Sequence, residues 1–285
     1  MKIAVTGSYG FTGRHFVKEA CAQGYSVDCI KTDLLDAVEL QNELSASAPD
    51  FVVHLAAVSF VASEDVKSIY YTNVIGTLNL LQAIGQLKKI PTKILIASSA
   101  NIYGNSDASP VSELQPSIVL NHYAASKAAM EQLISVYKQT LPIVVTRPFN
   151  YTGHGQSDVF LVPKLVDHFK RRALSIDLGN INVEREFNSI SFVVSSYMFL
   201  LRFAKSGETY NICTGKSYKI KKLIEILQSL TQHQILVKTL PSLVRSNELM
   251  TLYGDPSKLI DLSEQNGFNL PIITLEETLS SMLGS

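Results

Sequence analysis

The sequence lacks any excess of charge: its 285 residues carry 25 Lys and Arg against 25 Asp and Glu. A neutral chain has no global field that attracts nucleic acid or an anionic membrane. The sequence also lacks any run near the ~18 apolar residues that a membrane-spanning helix needs, and no charged leader precedes the first strand-like residues. We therefore expect a cytoplasmic protein that binds neither nucleic acid nor membranes.

Cysteine is scarce as well. Cys21, Cys29 and Cys213 are too few and too scattered for a disulfide framework or a metal cage. Each stands in an apolar or helical context, so we expect buried thiols in a reducing compartment. The sequence predicts no metal site.

Short apolar runs alternate with longer amphipathic stretches from KIAVTG onward to Arg147, and again in SFVVSSYMFLLRFA and ETYNICTG. Strands that are apolar throughout and take turns with helices indicate a parallel sheet covered on both faces. We predict an α/β fold, a doubly wound parallel sheet of the Rossmann type with a smaller C-terminal α/β lobe. Residues 1–150 and about 186–214 are assigned to the Rossmann domain, and residues 151–185 and about 215–285 to the lobe.

The stretch TGSYGFTG places Gly7, Gly10 and Gly13 directly after an apolar strand and before a helix. Glycines there permit a tight turn and let the backbone approach a pyrophosphate, whose charge then lies at the helix N-terminus. This context predicts dinucleotide binding, although three glycines can also form a purely structural connection.

The end of the second strand is where a carboxylate would hold the 2′-hydroxyl of NAD. The strand YSVDCIK ends instead at Lys31, and Arg14 at the helix start offers a second cation. Cations favour a 2′-phosphate, so NADP(H) is the preferred cofactor and NAD(H) a possible one; the alternative is an ordinary solvated lysine. Asp33 is a candidate for the adenine edge, whereas Asp28 falls inside the strand.

The stretch NHYAASKAAMEQL places Tyr123 and Lys127 four residues apart, on one face of a helix. A nearby ammonium lowers the pKa of a phenol, which suits Tyr123 to proton transfer. A second hydroxyl can polarise a carbonyl oxygen, and Ser99, at the end of the strand KILIASS, is our choice. Ser98 points to the opposite face, because neighbouring residues of a strand alternate.

Taken together, TGSYGFTG, HLAA at 54–57, YYTNVIGTLNLL, SSANIYG and YAASK resemble the extended short-chain dehydrogenase/reductase family in order and spacing. The resemblance covers nearly the whole chain. The stretch RPFNYTGHGQ most resembles the branch that handles GDP-linked 4-keto-6-deoxy sugars, namely GDP-mannose 4,6-dehydratases and the reductases that act after them. The resemblance implies a nucleotide-sugar substrate.

The resemblance also implies site residues. The catalytic set falls on Ser99, Tyr123 and Lys127. Substrate contacts fall on Asn150, Arg185, Arg245 and Glu248. The cofactor contacts are Gly7, Gly10, Phe11, Thr12, Gly13, Arg14, Lys31, Asp33, Leu34, Leu55, Ala56, Ala57, Asn73, Tyr123 and Lys127. His54 is expected to be a hydrogen-bonded strand residue and His154 a loop residue, rather than acids or bases.

Family members that dehydrate sugars carry an acid just after the catalytic hydroxyl, where this chain has Ala100 and Asn101. An amide is a poor general base, so the sequence offers no evident agent for the proton abstraction that elimination requires. Ketone reduction needs only a hydride and one proton. We therefore expect an NADPH-dependent reductase of a nucleotide-linked 4-keto-6-deoxy-hexose. GDP is the preferred nucleotide.

Two alternatives stay open. One is a nucleotide-sugar epimerase with tightly bound cofactor, because the same three residues can oxidise and re-reduce one sugar. The other is a non-enzymatic NADP-binding sensor, since fold alone does not determine activity. A homodimer is also expected, because family members often pair through the helix that carries Tyr123, and EQLISVY offers apolar positions near helical spacing.

Overall fold

The fold is given by a computed structural model that describes residues 1–59, 65–105, 110–244 and 250–284. The strands are β1 (Lys2–Thr6), β2 (Ser26–Ile30), β3 (Phe51–His54), β4 (Lys93–Ala97), β5 (Ile143–Pro148), β6 (Tyr151–Thr152), β7 (Ser175–Leu178), β8 (Glu184–Glu186), β9 (Asn188–Ser189), β10 (Thr209–Ile212), β11 (Ser217–Lys219), β12 (Leu236–Thr239) and β13 (Thr251–Leu252).

The helices are α1 (Phe11–Ala22), α2 (Ala37–Ser47), α3 (Val66–Tyr70), α4 (Gly76–Gly85), α5 (His122–Tyr137), α6 (Leu161–Lys170), α7 (Ile190–Phe203), α8 (Ile220–Thr231), α9 (Ser257–Gln265) and α10 (Leu275–Leu283). A π-helical turn, Tyr71–Ile75, joins α3 to α4, and two 3-10 turns cover Ala100–Tyr103 and Pro241–Leu243. None of the helices within the described ranges combines the length and apolar character that crossing a bilayer requires.

Six parallel strands form the central sheet in the order β10-β5-β4-β3-β1-β2. Their side chains alternate between two cores: Ile3 packs in the core that α1 and α7 cover, and Ala4 in the core that α2, α4 and α5 cover. Burial on both faces explains why these strands are apolar throughout. The predicted doubly wound fold is confirmed. Strand order reverses between β1 and β3, so ligands are expected at the carboxyl ends of these two strands.

A third core lies among α6, α8, α10 and the short strands β7 and β12, with Leu165, Leu223 and Leu279 at its centre. Its amphipathic helices bury one face each. The division of the chain into two domains stays a prediction. Leu259 of α9, which we assigned to the small lobe, packs in the core of the central sheet.

Cysteine burial differs from the expectation. Cys213 is buried and Cys29 is half-buried, but Cys21 is exposed. Cys21 directly follows the buried Ala20 on α1, and a residue one position along a helix is turned by about 100°. Helical context alone therefore did not imply burial of this thiol.

The buried carboxylate of Glu186 joins three segments of the chain that are separate in sequence. It accepts hydrogen bonds from the backbone N–H of Gly254 at 2.7 Å, from the backbone N–H of Thr214 at 2.9 Å and from Asn188 Nδ2 at 2.9 Å. These donors come from the chain after β13, the chain after β10 and β9. One side chain thus holds three segments, two of them through backbone N–H groups and one through the Asn188 amide.

Replacement of Glu186 by glutamine should lower the free energy of unfolding by about 2 kcal/mol, because an amide NH2 would face backbone donors that need an acceptor. Urea denaturation followed by circular dichroism measures this. Glu184→Gln is the matched control on the same strand, since glutamine can still accept the 2.6 Å hydrogen bond from Ser217. Equal stability of the two variants would contradict the assigned role of Glu186.

Candidate active site

The glycine loop after β1 is shaped by close backbone contacts. Gly7 has φ +69°, and a Cβ there would lie 2.5 Å from the backbone N of Ala56. A Cβ on Gly13 would lie 2.1 Å from the carbonyl oxygen of Gly7. Gly10 is the N-cap of α1, and among the described residues no side chain caps this helix or places an acid in its first turn. The N-terminal amides of α1 therefore suit a pyrophosphate.

The first turn of α1 contacts the chain that follows β5. Thr12 Oγ1 lies 2.7 Å from the Tyr151 hydroxyl, and the Phe11 and Tyr151 rings stack with centroids 6.1 Å apart. Arg14 Nη2 donates to the carbonyl oxygen of Gly155 at 2.9 Å. The guanidinium of Arg14 is thus engaged by the loop after β6, and its role at a 2′-phosphate stays a prediction.

Lys31 follows β2, and the register that pairs Thr6 with Ile30 sets Lys31 beside Gly7. Its side chain is exposed, and its backbone N–H donates to Glu43 Oε1 at 3.0 Å. Asp28 lies inside β2 as expected, where it accepts a hydrogen bond from the Ser47 hydroxyl at 2.7 Å. The end of β2 therefore presents one cation and, from α2, a carboxylate that the sequence pattern gave no reason to place there.

Other predicted cofactor contacts lie along the same edge of the sheet. Asp33 forms a turn in which its Oδ1 accepts from the N–H of Leu35 at 2.9 Å. Leu34 is buried, with its side chain against Gly76. Leu55 donates its N–H to the carbonyl oxygen of Thr6 at 3.1 Å. The backbone of Ala56 lies next to Gly7, and Ala57 follows it in sequence.

Ser99 and Tyr123 are brought together as the sequence predicted. Tyr123 lies in the first turn of α5, which Asn121 caps by accepting from the N–H of Ala124 at 2.8 Å. Ser99 follows β4 and is hydrogen-bonded to Tyr123, which is buried. Burial raises the pKa of Tyr123 to about 12, although the hydrogen bond from Ser99 opposes this rise. Ser98 is buried elsewhere, and its Oγ has no partner among the described residues.

Asn101 holds the Ser99 hydroxyl. The backbone N–H of Asn101 donates to Ser99 Oγ at 3.2 Å, and Asn101 Nδ2 donates to the same oxygen at 3.1 Å. Two donors fill the acceptor positions of Ser99 Oγ. The hydroxyl hydrogen of Ser99 is therefore left to donate toward Tyr123. The spacing in SSANIYG did not predict this contact.

Lys127 lies one helical turn after Tyr123, and it is buried. Its Nζ donates to the carbonyl oxygen of Ala97 at 2.8 Å. Burial lowers the pKa of Lys127 to about 8, against a smaller opposite effect of Glu131. The pKa of Tyr123 is therefore raised, not lowered as we expected from the neighbouring ammonium, because burial of the phenol outweighs every influence that favours its ionised form; the ammonium itself donates to Ala97.

Asn73 connects the chain after β3 to the helix of Tyr123. Its Oδ1 accepts from the N–H of Val58 at 2.9 Å, and its Nδ2 donates to Ser126 Oγ at 3.0 Å. Ser126 Oγ in turn donates to the carbonyl oxygen of Tyr123 at 2.8 Å. Asn73 lies in the π-helical turn before α4, a local structure that is frequent at functional sites.

His54, at the end of β3, is fully hydrogen-bonded, as the sequence predicted. Its Nδ1 lies 2.7 Å from Thr6 Oγ1 and its Nε2 lies 2.9 Å from Thr77 Oγ1. Because Thr77 Oγ1 donates its hydrogen to the carbonyl oxygen of Asn73, it accepts from Nε2–H, and His54 is the neutral Nε2–H tautomer. Burial, with a smaller contribution from the charge of Lys127, lowers the pKa of His54 to about 3.

The predicted substrate contacts are only partly described. Asn150 follows β5, its side chain is exposed, and its carbonyl oxygen accepts from the N–H of Asn188 at 2.9 Å. Arg185 lies on β8, and its Nη1 donates to the carbonyl oxygen of Glu184 at 2.7 Å. Arg245 and Glu248 lie outside the described residues.

A doubly wound sheet with a glycine-rich first turn, and with Ser99, Tyr123 and Lys127 at its carboxyl edge, defines a Rossmann enzyme of the extended short-chain dehydrogenase/reductase type. The family model described as GDP-mannose 4,6 dehydratase matches residues 26–279. The chain belongs to this family, as the sequence resemblance predicted.

Two curated relatives are similar over most of their lengths. The GDP-6-deoxy-D-talose 4-dehydrogenase of Aggregatibacter actinomycetemcomitans is 36% identical over 92% of this chain and 91% of its own length. The GDP-6-deoxy-D-mannose reductase of Pseudomonas aeruginosa is 32% identical over 99% of this chain and 96% of its own length.

Solved structures share the fold over nearly the whole chain. RMD from Pseudomonas aeruginosa, solved in complex with NADPH, superposes with a TM-score of 0.91 at 31% identity, covering 99% of this chain and 97% of that chain. The UDP-glucose 4-epimerase of Thermus thermophilus, solved with NAD, superposes with a TM-score of 0.86 at 26% identity, covering 100% and 98%.

The neutral state of His54 makes stability depend on pH. The folded pKa is about 3 and the unfolded pKa about 6.5, so the unfolded chain binds the proton first as pH falls. The contribution is fully present above pH ~6.5 and should fall by about 2 kcal/mol between pH 7 and pH 5. Urea denaturation at the two pH values measures it.

His54→Gln should reduce this pH dependence by the same ~2 kcal/mol, whereas the loop variant His154→Gln should keep it. A pH dependence that is equal in wild type and His54→Gln would show that His54 is not the group responsible.

Proposed function

We propose that the protein is an NADPH-dependent reductase of a nucleotide-linked 4-keto-6-deoxy-hexose, with GDP as the nucleotide. The observation that carries the proposal is the buried pair of Ser99 and Tyr123, with Asn101 rather than an acid beside it. Both curated relatives are GDP-6-deoxy-sugar oxidoreductases by name, which supports the substrate class.

The cofactor assignment is supported by two features. The exposed Lys31 stands beside the glycine loop, where a 2′-phosphate would lie. The structural neighbour from Pseudomonas aeruginosa was solved with NADPH. The neighbour from Thermus thermophilus was solved with NAD, so the fold accepts either dinucleotide.

The chain's own residues suit proton delivery to a ketone oxygen. Because burial raises the pKa of Tyr123 to about 12, the phenol keeps its proton at neutral pH and can act as the acid. With its acceptor positions filled by Asn101, the Ser99 hydroxyl can turn its hydrogen from Tyr123 to the same ketone oxygen once the substrate is bound. The nicotinamide, when bound, supplies the hydride.

Lys127 is proposed to stabilise the phenolate that remains on Tyr123. Its pKa of about 8 leaves the ammonium form in the majority at pH 7. A positive charge one helical turn away favours the ionised phenol once the proton has been given up. Asn73 positions the helix backbone at Tyr123 through Ser126.

The absence of an acid beside Ser99 argues against a dehydratase. Asn101 Nδ2 is a donor to Ser99, and an amide cannot take the proton next to the ketone. Asn150, Arg185 and Arg245 remain proposed contacts to the substrate diphosphate, and Glu248 remains a proposed contact to the ribose. The homodimer and the cytoplasmic location also remain predictions.

The direct test incubates purified protein with NADPH and GDP-4-keto-6-deoxymannose, with the UDP-, dTDP- and CDP-linked ketosugars in parallel. We expect loss of NADPH absorbance with the GDP sugar and formation of the 6-deoxy-hexose. Bound dinucleotide that copurifies, together with interconversion of sugars and no net loss of NADPH, would favour the epimerase alternative instead.

Tyr123→Phe should lower kcat by at least ~100-fold, because the acid is lost, and should leave NADPH binding within about threefold. Tyr137→Phe, on the last turn of the same helix, is the control and should retain activity. If Tyr123→Phe reduced the ketosugar at the wild-type rate, another group would have to supply the proton. Unchanged biological activity of that variant would favour the sensor alternative.

A further inference from the structure

The end of β2 contains a feature that the proposed cofactor preference leaves unexplained. The carboxylate of Glu43, on α2, accepts hydrogen bonds from two backbone groups. The N–H of Lys31 donates to Oε1 at 3.0 Å and to Oε2 at 3.2 Å, and the N–H of Thr32 donates to Oε2 at 3.0 Å. Two consecutive backbone amides beside the glycine loop are thus already paired with a carboxylate. Such amides would otherwise be available to an anion.

The position of Glu43 is fixed by the packing of its helix. Leu40 and Leu44 on the same helix are fully buried in the core between α2 and the sheet, and Asp36 caps the helix by accepting from the N–H of Glu39 at 3.0 Å. The backbone of Glu43 therefore cannot shift without moving α2, and its carboxylate is held at the end of β2 by the N–H groups of Lys31 and Thr32. A ligand that reaches the end of β2 meets this carboxylate.

Glu43 is ionised at neutral pH. Burial opposes ionisation, but hydrogen bonds from the Thr32 side chain and from the backbone N–H groups of Lys31 and Thr32 outweigh it and lower the pKa of Glu43. The positive charge of Lys31 acts in the same direction. The end of β2 thus holds a negative charge as well as a positive one.

These two charges act oppositely on the ribose of a dinucleotide. A 2′-phosphate is attracted by Lys31 and repelled by Glu43, which also occupies the two amides. A 2′-hydroxyl can donate a hydrogen bond. A carboxylate has about four acceptor positions, and the Lys31 N–H, the Thr32 N–H and the Thr32 side chain occupy three of them. One position is left for the 2′-hydroxyl. We propose that Glu43 is a specificity-determining residue that opposes Lys31, limits the preference for NADPH and lets the protein bind NADH.

This inference rests on the proposed dinucleotide binding but not on the sugar substrate. Isothermal titration calorimetry gives the Kd for NADPH and for NADH without turnover. Glu43→Gln should raise the ratio of the NADH Kd to the NADPH Kd by about tenfold, which corresponds to ~1.4 kcal/mol. Added salt should shrink the difference in NADPH affinity between wild type and this variant, because the repulsion is electrostatic.

Glu39→Gln is the matched control. Glu39 lies one helical turn earlier on α2, its substitution makes the same change in net charge, and its carboxylate contacts Asn42 of its own helix at 3.5 Å. The ratio of the NADH Kd to the NADPH Kd of Glu39→Gln should stay within about twofold of the wild-type ratio. Lys31→Gln, which retains Glu43, should move the ratio about tenfold in the opposite direction, and this second variant does not disturb α2.

A ratio that changes no more in Glu43→Gln than in Glu39→Gln overturns the role of Glu43, provided that wild type binds a dinucleotide. A melting temperature of Glu43→Gln near that of wild type shows that the fold is retained; if it falls, the wild-type Kd values decide, because a wild type that binds NADPH but gives no measurable binding of NADH overturns the role of Glu43. Wild-type protein that binds neither dinucleotide overturns the proposed function itself, and this inference with it.

Discussion

The parallel register of the central sheet is the constraint on which the candidate site depends. Each of its strands ends at the same edge, so the residues that follow β1, β2, β3, β4 and β5 meet there although they are far apart in sequence. Gly7, Lys31, Leu55, Ser99 and Asn150 all occupy such positions. The absence of a side chain at Gly7 lets the backbone of Ala56 approach closely, at the point between β1 and β3 where strand order reverses. The loops at this edge can differ in sequence and length, because the sheet fixes the strand ends from which they start.

Burial controls the electrostatics at this edge. His54, Tyr123 and Lys127, which lie at this edge, are all nearly inaccessible to solvent, and in each case burial favours the uncharged form. His54 is thereby a neutral link between Thr6 and Thr77, and Tyr123 keeps its proton. An enzyme that delivers a proton to a ketone benefits from an acid that does not release its proton to solvent before the reaction. The same burial explains why the sequence-based expectation of a lowered Tyr123 pKa was wrong.

Local patterns predicted much of the fold and part of the site. The apolar runs located the strands of the central sheet, and YAASK placed Tyr123 and Lys127 on one helical face, because both features depend on neighbours in sequence. Glu43 and Glu186 were not predicted, since each acts on backbone amides supplied by other segments. The exposure of Cys21 shows a related limit: a helical context does not say which residue of a turn faces the core. Domain boundaries and dimerisation depend on contacts that no local pattern encodes.

Asn101, which stands where sugar-dehydrating family members carry an acid, has two effects on the site. An acid at this position could serve as a base for elimination, but its carboxylate would be an acceptor and would draw the Ser99 hydrogen toward itself. The amide reverses that polarity, because Asn101 donates twice to Ser99 Oγ. The Ser99 hydrogen is then directed to Tyr123, and with a ketone bound the same hydrogen would turn to the ketone oxygen. Asn101 thus supplies no base for elimination, and it also leaves the hydroxyls of Ser99 and Tyr123 as hydrogen-bond donors. Both effects favour reduction of a ketone over dehydration.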